Sequence, residues 1–244
     1  MRLDGFSEAG VGAAMLDDAI ALVRAASSGD DTGGALVLPE AQADFADRTP
    51  EQRVSKVFKL HRRPAFRTFL ESDALGVLVG ELLGPDVDCF LSQLIFKNPG
   101  AWGQPWHQDS YYFPFTPARP IVGIWLAITE ATLENGCLHV LPGSHVEPVH
   151  DHVEDGRPGA NYGYVEIVDH DMRASEPVLM AAGDLLLFDS HLMHRSTDNQ
   201  SAGIRAAMVF HCCQAGTVDP GFMGRPSPVN DFTPLHRAGE VVPA

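Results

Sequence analysis

The sequence lacks several features that would place the protein in a membrane or an oxidising compartment. None of its apolar runs is long enough to span a bilayer. Its first residues lack the basic segment and apolar run of a signal peptide. It has only 4 cysteines, and their spacing is not that of a metal knuckle. These absences predict a cytoplasmic protein whose cysteines are reduced thiols.

Positive charge is also scarce. The chain has 17 Lys and Arg against 32 Asp and Glu, which gives a formal net charge of -15. Nucleic acid and anionic membranes both attract basic patches, so we expect neither as a partner. Solubility is the simplest reason for the acidity. Nothing in the sequence sets the oligomeric state.

The length and composition are those of one globular domain, residues 1–244, with 45% hydrophobic and 20% charged residues. Helical patterns come first. They cover residues 7–27, for which Ser7 is the predicted N-cap, a short region opened by Pro50, and residues 65–83. We therefore expect a helical N-terminal part that extends to about residue 86.

The pattern changes after Pro85 to short strands separated by turns. The predicted strands cover residues 88–97, 121–129, 137–141, 178–180, 185–188 and 204–213. Residues 147–176 are charged and aperiodic, which is typical of a long functional loop. Helices followed by many strands predict a mainly β fold, an antiparallel barrel or jelly roll with the helices packed outside it. The β core should cover about 87–214, and 215–244 should form an irregular tail.

One short stretch, Trp106-His107-Gln108-Asp109, combines two types of metal ligand. On an extended segment, His107 and Asp109 point to the same side of the backbone. Two imidazoles and one carboxylate form the facial triad that holds non-heme Fe(II) and leaves coordination positions open. A single His-x-Asp pair is weak evidence in a chain with 11 histidines. The hypothesis therefore needs a second histidine and a reason for a metal.

His194 and Arg205 flank a polar, turn-rich connection that addresses both needs. The two residues are equidistant from its centre near Asn199 and Gln200. A symmetric hairpin would place His194, Ser196 and Arg205 on one face. A buried arginine requires an anion, and its planar fork suits a carboxylate. The residues alone leave open whether that carboxylate belongs to a ligand or to a protein Asp or Glu.

A series of motifs resembles the phytanoyl-CoA dioxygenase family, especially its domain-containing members. The motifs are Trp106-His107-Gln108-Asp109 with Tyr111-Tyr112-Phe113-Pro114, Ile124-Trp125-Leu126-Ala127, Leu133-Glu134-Asn135-Gly136-Cys137-Leu138, Leu141-Pro142-Gly143-Ser144-His145, Gly183-Asp184-Leu185-Leu186-Leu187-Phe188, and His194-Arg195-Ser196 with Arg205. The match runs from about Lys56 to Gln214. It implies a double-stranded β-helix, which is a cupin-like jelly roll. It also implies an Fe(II)- and 2-oxoglutarate-dependent oxygenase that uses O2, hydroxylates an aliphatic C–H group of a small molecule, and releases succinate and CO2.

The resemblance also assigns the central site residues. His107, Asp109 and His194 match the family's iron ligands, and these three are the implied catalytic residues. Arg205 and Ser196 match the groups that bind the distal carboxylate of 2-oxoglutarate. Iron and the cosubstrate would therefore occupy one site.

Further residues match the cosubstrate site or its surroundings. Trp125 matches a tryptophan near the cosubstrate. Gln93 and Lys56 match additional cosubstrate contacts less closely, and Lys59 is a rival to Lys56. The aromatic residues expected to line the substrate pocket are Trp106, Tyr111, Tyr112 and Phe113.

Three alternative functions stay open at this point, and for one of them, a hydrolase that uses His and Asp without a metal, the sequence has no nucleophile motif. A cupin-like enzyme with another metal would account for the ligands but not for Arg205. A non-catalytic binding module would be expected to have lost some of the three ligands or the arginine. The substrate is not identified by the sequence. The basic run Lys56, Lys59, Arg62, Arg63 and Arg67 is compatible with the phosphates of an acyl-CoA, with a natural product as substrate, and with a solvated helix face.

Overall fold

The computed structural model describes residues 1–40, 47–158, 163–221, 225 and 227–242. Among these residues the α-helices are α1 (Ala9–Ser28), α2 (Pro64–Leu70) and α3 (Asp73–Leu83). Short 3-10 helices lie at Pro50–Arg53, Asp109–Tyr111 and Ser144–Val146. The strands are β1 (Arg2–Leu3), β2 (Leu36–Pro39), β3 (Val54–Phe58), β4 (Val87–Lys97), β5 (Ile121–Ala127), β6 (Leu138–Val140), β7 (Val153–Glu154), β8 (Val165–Glu166), β9 (Glu176–Val178), β10 (Leu185–Asp189), β11 (His194–Ser196), β12 (Arg205–Gln214), β13 (Thr233–Arg237) and β14 (Glu240–Val241).

Antiparallel sheets form the body of the molecule. The larger sheet has the strand order β1-β10-β5-β12-β4-β13-β14, and β3, which pairs with β2, also joins β4. A smaller sheet has the order β11-β6-β9, and β7 pairs with β8. This topology confirms the predicted mainly β fold with helices beside it.

Alternation along the central strands gives the larger sheet two different faces. Leu94 of β4 and Met208 and Phe210 of β12 are fully buried in the core that also contains the apolar faces of the helices. Trp125 of β5 and Val209 of β12 belong to a second cluster that borders a cavity. Successive side chains of a strand point to opposite faces. The sheet therefore carries the helices on one face and the cavity on the other.

The first helix follows its predicted apolar stripe but not its predicted cap. Met15, Ala19 and Val23 are at most 1% exposed because their spacing of four places them on one helix face. The helix ends at Gly29, whose φ of 78° is left-handed. The prediction of Ser7 as N-cap is wrong, since Glu8 is the N-cap and makes no side-chain cap. The Ser7 backbone N–H instead donates to the carbonyl of Gly183.

The terminal parts contain strands that were not predicted. The N-terminal part, expected to be helical, includes β3, which places Lys56 opposite Ile95 of β4. The tail, expected to be irregular, includes β13, which places Thr233 opposite Cys89. These strands are short, and their pairing partners lie far away in the sequence. Their stability therefore depends on pairing with β4 and is not visible as a local period.

The predicted hairpin between His194 and Arg205 does not form. β11 pairs with β6, which places His194 opposite Val140. β12 pairs with β4, which places Arg205 opposite Lys97. The connection passes from one sheet to the other, and the Asn199 side chain fixes it by donating to the Lys97 carbonyl at 2.8 Å. His194 and Arg205 nevertheless line the same cavity, but from opposite sheets.

The absences noted in the sequence have structural counterparts. In the part of the chain that the structure describes, no helix is both long and apolar enough to cross a membrane. The 4 cysteines are free and buried. They therefore contribute apolar volume to the core, as expected of reduced thiols.

Candidate metal centre

His107 and His194 lie directly opposite each other in an isolated antiparallel bridge. The backbone N–H of each residue donates to the carbonyl oxygen of the other at 3.0 Å. Opposite residues in such a pair project their side chains to the same side. Their ring centroids are 4.2 Å apart. The bridge thus joins the His-x-Asp segment to β11 and brings together two histidines that are distant in the sequence.

Backbone carbonyls select the tautomer of both histidines. His107 Nδ1 lies 2.8 Å from the oxygen of Pro105, and His194 Nδ1 lies 2.9 Å from the oxygen of Leu192. A carbonyl oxygen can only accept, so each Nδ1 carries a proton, and in the neutral ring the lone pair is on Nε2. The Gln104 amide nitrogen, 3.0 Å from His107 Nε2, is placed to donate to that lone pair. Both Nε2 atoms can therefore ligate a metal, provided that the Gln104 amide gives up its hydrogen bond to His107.

Asp109 presents one carboxylate oxygen to both histidines. Its Oδ1 lies 3.6 Å from His107 Nε2 and 3.9 Å from His194 Nε2. Its Oδ2 accepts a hydrogen bond from His211 Nε2 at 2.8 Å. Burial alone would raise the pKa of the Asp109 carboxyl, but the neighbouring His211, which donates a hydrogen bond to it, holds that pKa well below its usual range. Asp109 is therefore ionised at neutral pH.

The chemistry of these three groups fits a divalent metal such as Fe(II). Their ligand atoms all lie within 4.8 Å of one another. Burial, followed by the proximity of His107, lowers the pKa of His194 to about 4. The ring is therefore neutral at pH 7 and free to ligate. Two imidazoles and one carboxylate on one side form the donor set of the non-heme iron triad.

Arg205 is a buried cation that lines the same cavity. Its side chain is among the largest fully buried ones, at 1% exposure. Nη2 donates to the Gly136 carbonyl at 3.1 Å, whereas Nε and Nη1 have no hydrogen-bond partner. Burial lowers the pKa of Arg205 to about 10, and no carboxylate of the described residues contributes to that shift. A protein Asp or Glu partner is thus absent from the described residues, and the two unpartnered nitrogens fit a ligand carboxylate.

Lys97 lies opposite Arg205 in the sheet and bonds to Ser196, which lines the same cavity as Arg205. The Ser196 hydroxyl oxygen accepts from Lys97 Nζ at 2.8 Å and from the Gln104 backbone N–H at 3.1 Å. With both lone pairs used, its own proton is free to donate to a ligand. Burial, followed by the charge of Arg205, lowers the pKa of Lys97 well below its usual range. Lys97 was not predicted from the sequence, although its position opposite Arg205 in the sheet follows from the β4–β12 register.

Three other predicted cosubstrate residues also line the cavity, namely Trp125, Gln93 and Lys56. The guanidinium carbon of Arg205 lies 5.6 Å from the Trp125 ring centroid. The Trp125 indole nitrogen is buried without a hydrogen-bond partner. Lys59, the rival to Lys56, borders a separate surface pocket. Of the two lysines, Lys56 is therefore the one placed to reach a ligand in the cavity.

The cavity has a volume of about 920 Å³ and extends from the cluster of His107, Asp109 and His194 to Arg205. Tyr111, Tyr112 and Phe113 line it as predicted. The prediction for Trp106 is wrong, because its ring packs in a small core cluster with Met193. Neighbouring side chains on an extended segment point to opposite sides, and His107 takes the side of the cavity.

His211 is a site residue that was not predicted from the sequence. It lies on β12, is 2% exposed, and bonds to Asp109. A signal was available, since Arg205, Val209 and His211 are odd-numbered residues of one strand and all line the cavity. Alternation counted from Arg205 would have placed the imidazole there.

The sequence is similar to proteins of one known family. A family model described as phytanoyl-CoA dioxygenase (PhyH) matches residues 3–207. Phytanoyl-CoA dioxygenase domain-containing protein 1 of Rattus norvegicus is 34% identical over 199 residues, which cover 77% of this chain and 67% of the rat protein. The peroxisomal phytanoyl-CoA dioxygenase of Bos taurus is 36% identical over 138 residues, which cover 54% of this chain and 41% of the bovine protein. The matched region is thus less than half of the bovine relative.

Solved structures share the fold. The epimerase SnoN, in complex with Fe3+, alpha-ketoglutarate and nogalamycin RO, has a TM-score of 0.68 and 17% identity, with coverage of 100% of this chain and 91% of SnoN. The apo form of ThoJ, a non-heme monooxygenase, has a TM-score of 0.66 and 22% identity, with coverage of 88% and 73%. At such low identity these likenesses establish the fold, which confirms the cupin-like jelly roll.

Proposed function

The chain belongs to the phytanoyl-CoA dioxygenase family, and we propose that it is a non-heme Fe(II)- and 2-oxoglutarate-dependent dioxygenase that hydroxylates an aliphatic C–H group of a small-molecule metabolite. One observation carries the proposal. A two-histidine, one-carboxylate cluster and a buried arginine with two unpartnered nitrogens line the same cavity. A metal alone would account for the cluster, whereas a carboxylate ligand would also account for Arg205.

His107, Asp109 and His194 are the residues that would hold the iron. Their Nε2 and Oδ1 atoms converge, and the carbonyls behind both imidazoles keep the rings in the ligating tautomer. When bound, iron with 2-oxoglutarate and O2 supplies the oxidising chemistry, in which 2-oxoglutarate becomes succinate and CO2 and one oxygen atom enters a substrate C–H bond. The protein supplies position and environment.

Arg205 and Ser196 would bind the distal carboxylate of 2-oxoglutarate. Arg205 offers Nε and Nη1, and Ser196 offers the hydroxyl proton that its two accepted bonds leave free. A hydrogen-bonded charge pair in such a buried place is strong because little water competes for it. Lys97 holds the Ser196 oxygen by donating to it at 2.8 Å. Arg205 and Ser196 would thus anchor the cosubstrate in the cavity that His107, Asp109 and His194 also line.

The remaining cavity wall would receive the substrate. Tyr111, Tyr112, Phe113, Phe188 and Val209 give it a largely aromatic and aliphatic surface. Its volume of about 920 Å³ is in the range of small-molecule sites. Such walls bind the apolar part of a metabolite and limit the access of water to the reacting C–H group.

The decisive experiment measures turnover with purified protein, Fe(II) and 2-oxoglutarate. Candidate acyl-CoA and natural-product substrates are tested for succinate release and product mass under isotopically labelled O2. We expect succinate and a product that carries one labelled oxygen atom. No chlorinated product should form at high chloride, because Asp109 occupies the coordination position that a halide would need.

A His194→Ala variant serves as the control and should bind Fe(II) poorly and release no succinate. If the unmutated protein binds metal and 2-oxoglutarate but releases no succinate with any candidate, a binding module is favoured. If it releases succinate only with another metal, the iron assignment fails.

A further inference from the structure

A second cluster of metal-ligating groups lies outside the cavity. Glu147 Oε2 is 2.9 Å from His150 Nε2 and 3.1 Å from His170 Nε2. One ligand atom from each residue lies within 4.8 Å of the other two. The side chains of Glu147, His150 and His170 are 35%, 22% and 21% exposed, so each is held by protein but reached by solvent.

We propose that Glu147, His150 and His170 form a second metal site, which binds a divalent ion of the zinc class. Two imidazole nitrogens and one carboxylate oxygen are ligands that Zn²⁺ accepts, and the solvent-exposed side leaves room for water to complete a tetrahedron. With bonds of roughly 2.0–2.1 Å, tetrahedral ligand atoms stand about 3.4 Å apart. The present separations of 2.9 and 3.1 Å therefore require only small outward shifts.

The orientation of the groups supports a shared ligand. Both imidazoles direct Nε2 at the same carboxylate oxygen, Oε2 of Glu147. The rings of His150 and His170 are nearly perpendicular, at 89°, with centroids 5.0 Å apart. The two rings thus approach one point from different directions. Mutual stacking would bring the rings parallel, whereas this arrangement suits convergence on an ion.

The backbone that carries two of the ligands is already fixed in place. Gln108 Nε2 donates to the Pro148 carbonyl at 3.0 Å, and Gln108 Oε1 accepts from the His150 backbone N–H at 2.8 Å. Gln108 is fully buried between His107 and Asp109 in the sequence. The segment that carries Glu147 and His150 is therefore anchored beside the cluster of His107, Asp109 and His194. The segment loses little conformational freedom when an ion binds.

The third ligand is His170, which lies near the far end of residues 147–176, the stretch without hydrophobic periodicity in the sequence. Between His150 and His170 lie β7 and β8, and Glu154, Asp155, Tyr164 and Val165 line the cavity. An ion held by His170 and the anchored pair would cross-link the two ends of this segment. It would therefore stabilise a part of the cavity wall without touching the reacting groups.

The test uses the full chain carrying His107→Ala and His194→Ala, so that the proposed iron site no longer binds metal. After treatment with a chelator, the protein is titrated with Zn²⁺ in a calorimeter. We expect one equivalent to bind. Adding Glu147→Gln and His170→Asn should abolish that binding, whereas adding His145→Ala, at an exposed neighbouring histidine, should leave it unchanged.

A second measurement tests the proposal if the protein with His107→Ala and His194→Ala does not fold. The unmutated protein is titrated with Co²⁺, and two equivalents with distinct visible spectra are expected. The Glu147→Gln protein should bind one. A single equivalent in the unmutated protein, or Zn²⁺ binding that persists after Glu147→Gln and His170→Asn, would overturn the proposal. These binding tests do not depend on turnover, so their outcome is separate from that of the oxygenase proposal.

Discussion

The imidazole of His211 holds one oxygen of the Asp109 carboxylate, with Nε2 at 2.8 Å from Oδ2. The other oxygen, Oδ1, is thereby left to face His107 and His194 at 3.6 and 3.9 Å. Because His211 would reach the metal only through Asp109, it is a positioning residue of the proposed centre. Residues that orient a metal ligand in this way affect metal affinity more than cosubstrate binding.

The first prediction follows from that contact. His211→Ala should weaken anaerobic Fe(II) binding by roughly 10- to 100-fold, because Asp109 would lose the group that orients it. His211→Gln, whose amide can still donate to the carboxylate, should recover part of the affinity. Metal titration of the three proteins provides the measurement. Equal affinity in His211→Ala and the unmutated protein would remove His211 from the support of the centre.

The second prediction concerns Arg205. Arg205→Leu should raise the apparent KM for 2-oxoglutarate and leave Fe(II) binding intact, because the lost charge pair lies away from the metal ligands. Loss of a buried charged pair costs about 2–5 kcal/mol, which corresponds to a weakening of roughly 30-fold to several thousand-fold. Arg173→Leu, at an exposed arginine paired with Asp171, is the matched control.

Thermal unfolding tests the binding of 2-oxoglutarate by Arg205 without requiring turnover. A ligand that binds only the folded state raises the free energy of unfolding. Excess 2-oxoglutarate with a metal should therefore raise the Tm of the unmutated protein and of Arg173→Leu, but not that of Arg205→Leu. An equal rise in all three proteins would show that the cosubstrate binds elsewhere.

The third prediction concerns the close approach of Gly103 to Ser196. The Gly103 backbone N–H donates to Asp198 at 2.7 Å, and a Cβ at this position would overlap the Ser196 carbonyl oxygen. Gly103→Ala should therefore displace Ser196, raise the KM for 2-oxoglutarate, and destabilise the protein by about 1–3 kcal/mol. Gly156→Ala meets no atom within 4 Å and should have little effect. Denaturant titration and cosubstrate kinetics measure the two effects, and similar behaviour of both variants would contradict the overlap.

The fourth prediction is a pH dependence of stability that arises outside the site. His61 is fully buried, with Nδ1 2.8 Å from Ser92 and Nε2 2.9 Å from Thr233. Burial lowers its pKa from 6.5 to about 4, against the opposing charge of Asp231. The unfolded chain binds this proton more readily, so the contribution of His61 to stability is full above pH 6.5. It falls as the pH drops toward 4, by about 3 kcal/mol in total.

Urea unfolding between pH 7 and pH 4 measures that dependence. His61→Gln, which has no titrating side chain, should show a smaller loss of unfolding free energy across this range than the unmutated protein. His145→Ala, at an exposed histidine, should retain the full loss. If the unfolding free energy of His61→Gln falls between pH 7 and pH 4 as much as that of the unmutated protein, His61 is not the source of the pH dependence.

Short-range patterns in the sequence were sufficient for some of these features. The spacing of Met15, Ala19 and Val23 predicts the buried face of α1, because a helix repeats its environment within a few residues. The separation of His107 and Asp109 by one residue predicts that both face one side, because alternation is a property of the extended backbone itself. The family motifs added the roles that spacing could not supply.

Pairing between distant segments was not accessible in the same way. The hairpin predicted for His194 and Arg205 rested on the symmetry of the connection between them. In the structure that connection crosses from the smaller to the larger sheet. Many registers are compatible with the turn residues, and the one adopted depends on which strands bury their faces best. The two side chains still meet at the cavity, but for a different reason from the one predicted.

The sequence by itself determined which elements and motifs the molecule contains, namely the helices, the central strands and the His-x-Asp pair, and to which family it belongs. Only the tertiary structure decided that His211 bonds to Asp109, that Arg205 lacks a protein carboxylate among the described residues, and that His170 meets Glu147. The physical reason is the range of the interactions. Periodicity and turn chemistry act within a few residues, whereas burial, strand pairing and the partners of a buried charge depend on segments that become neighbours only when the chain has folded.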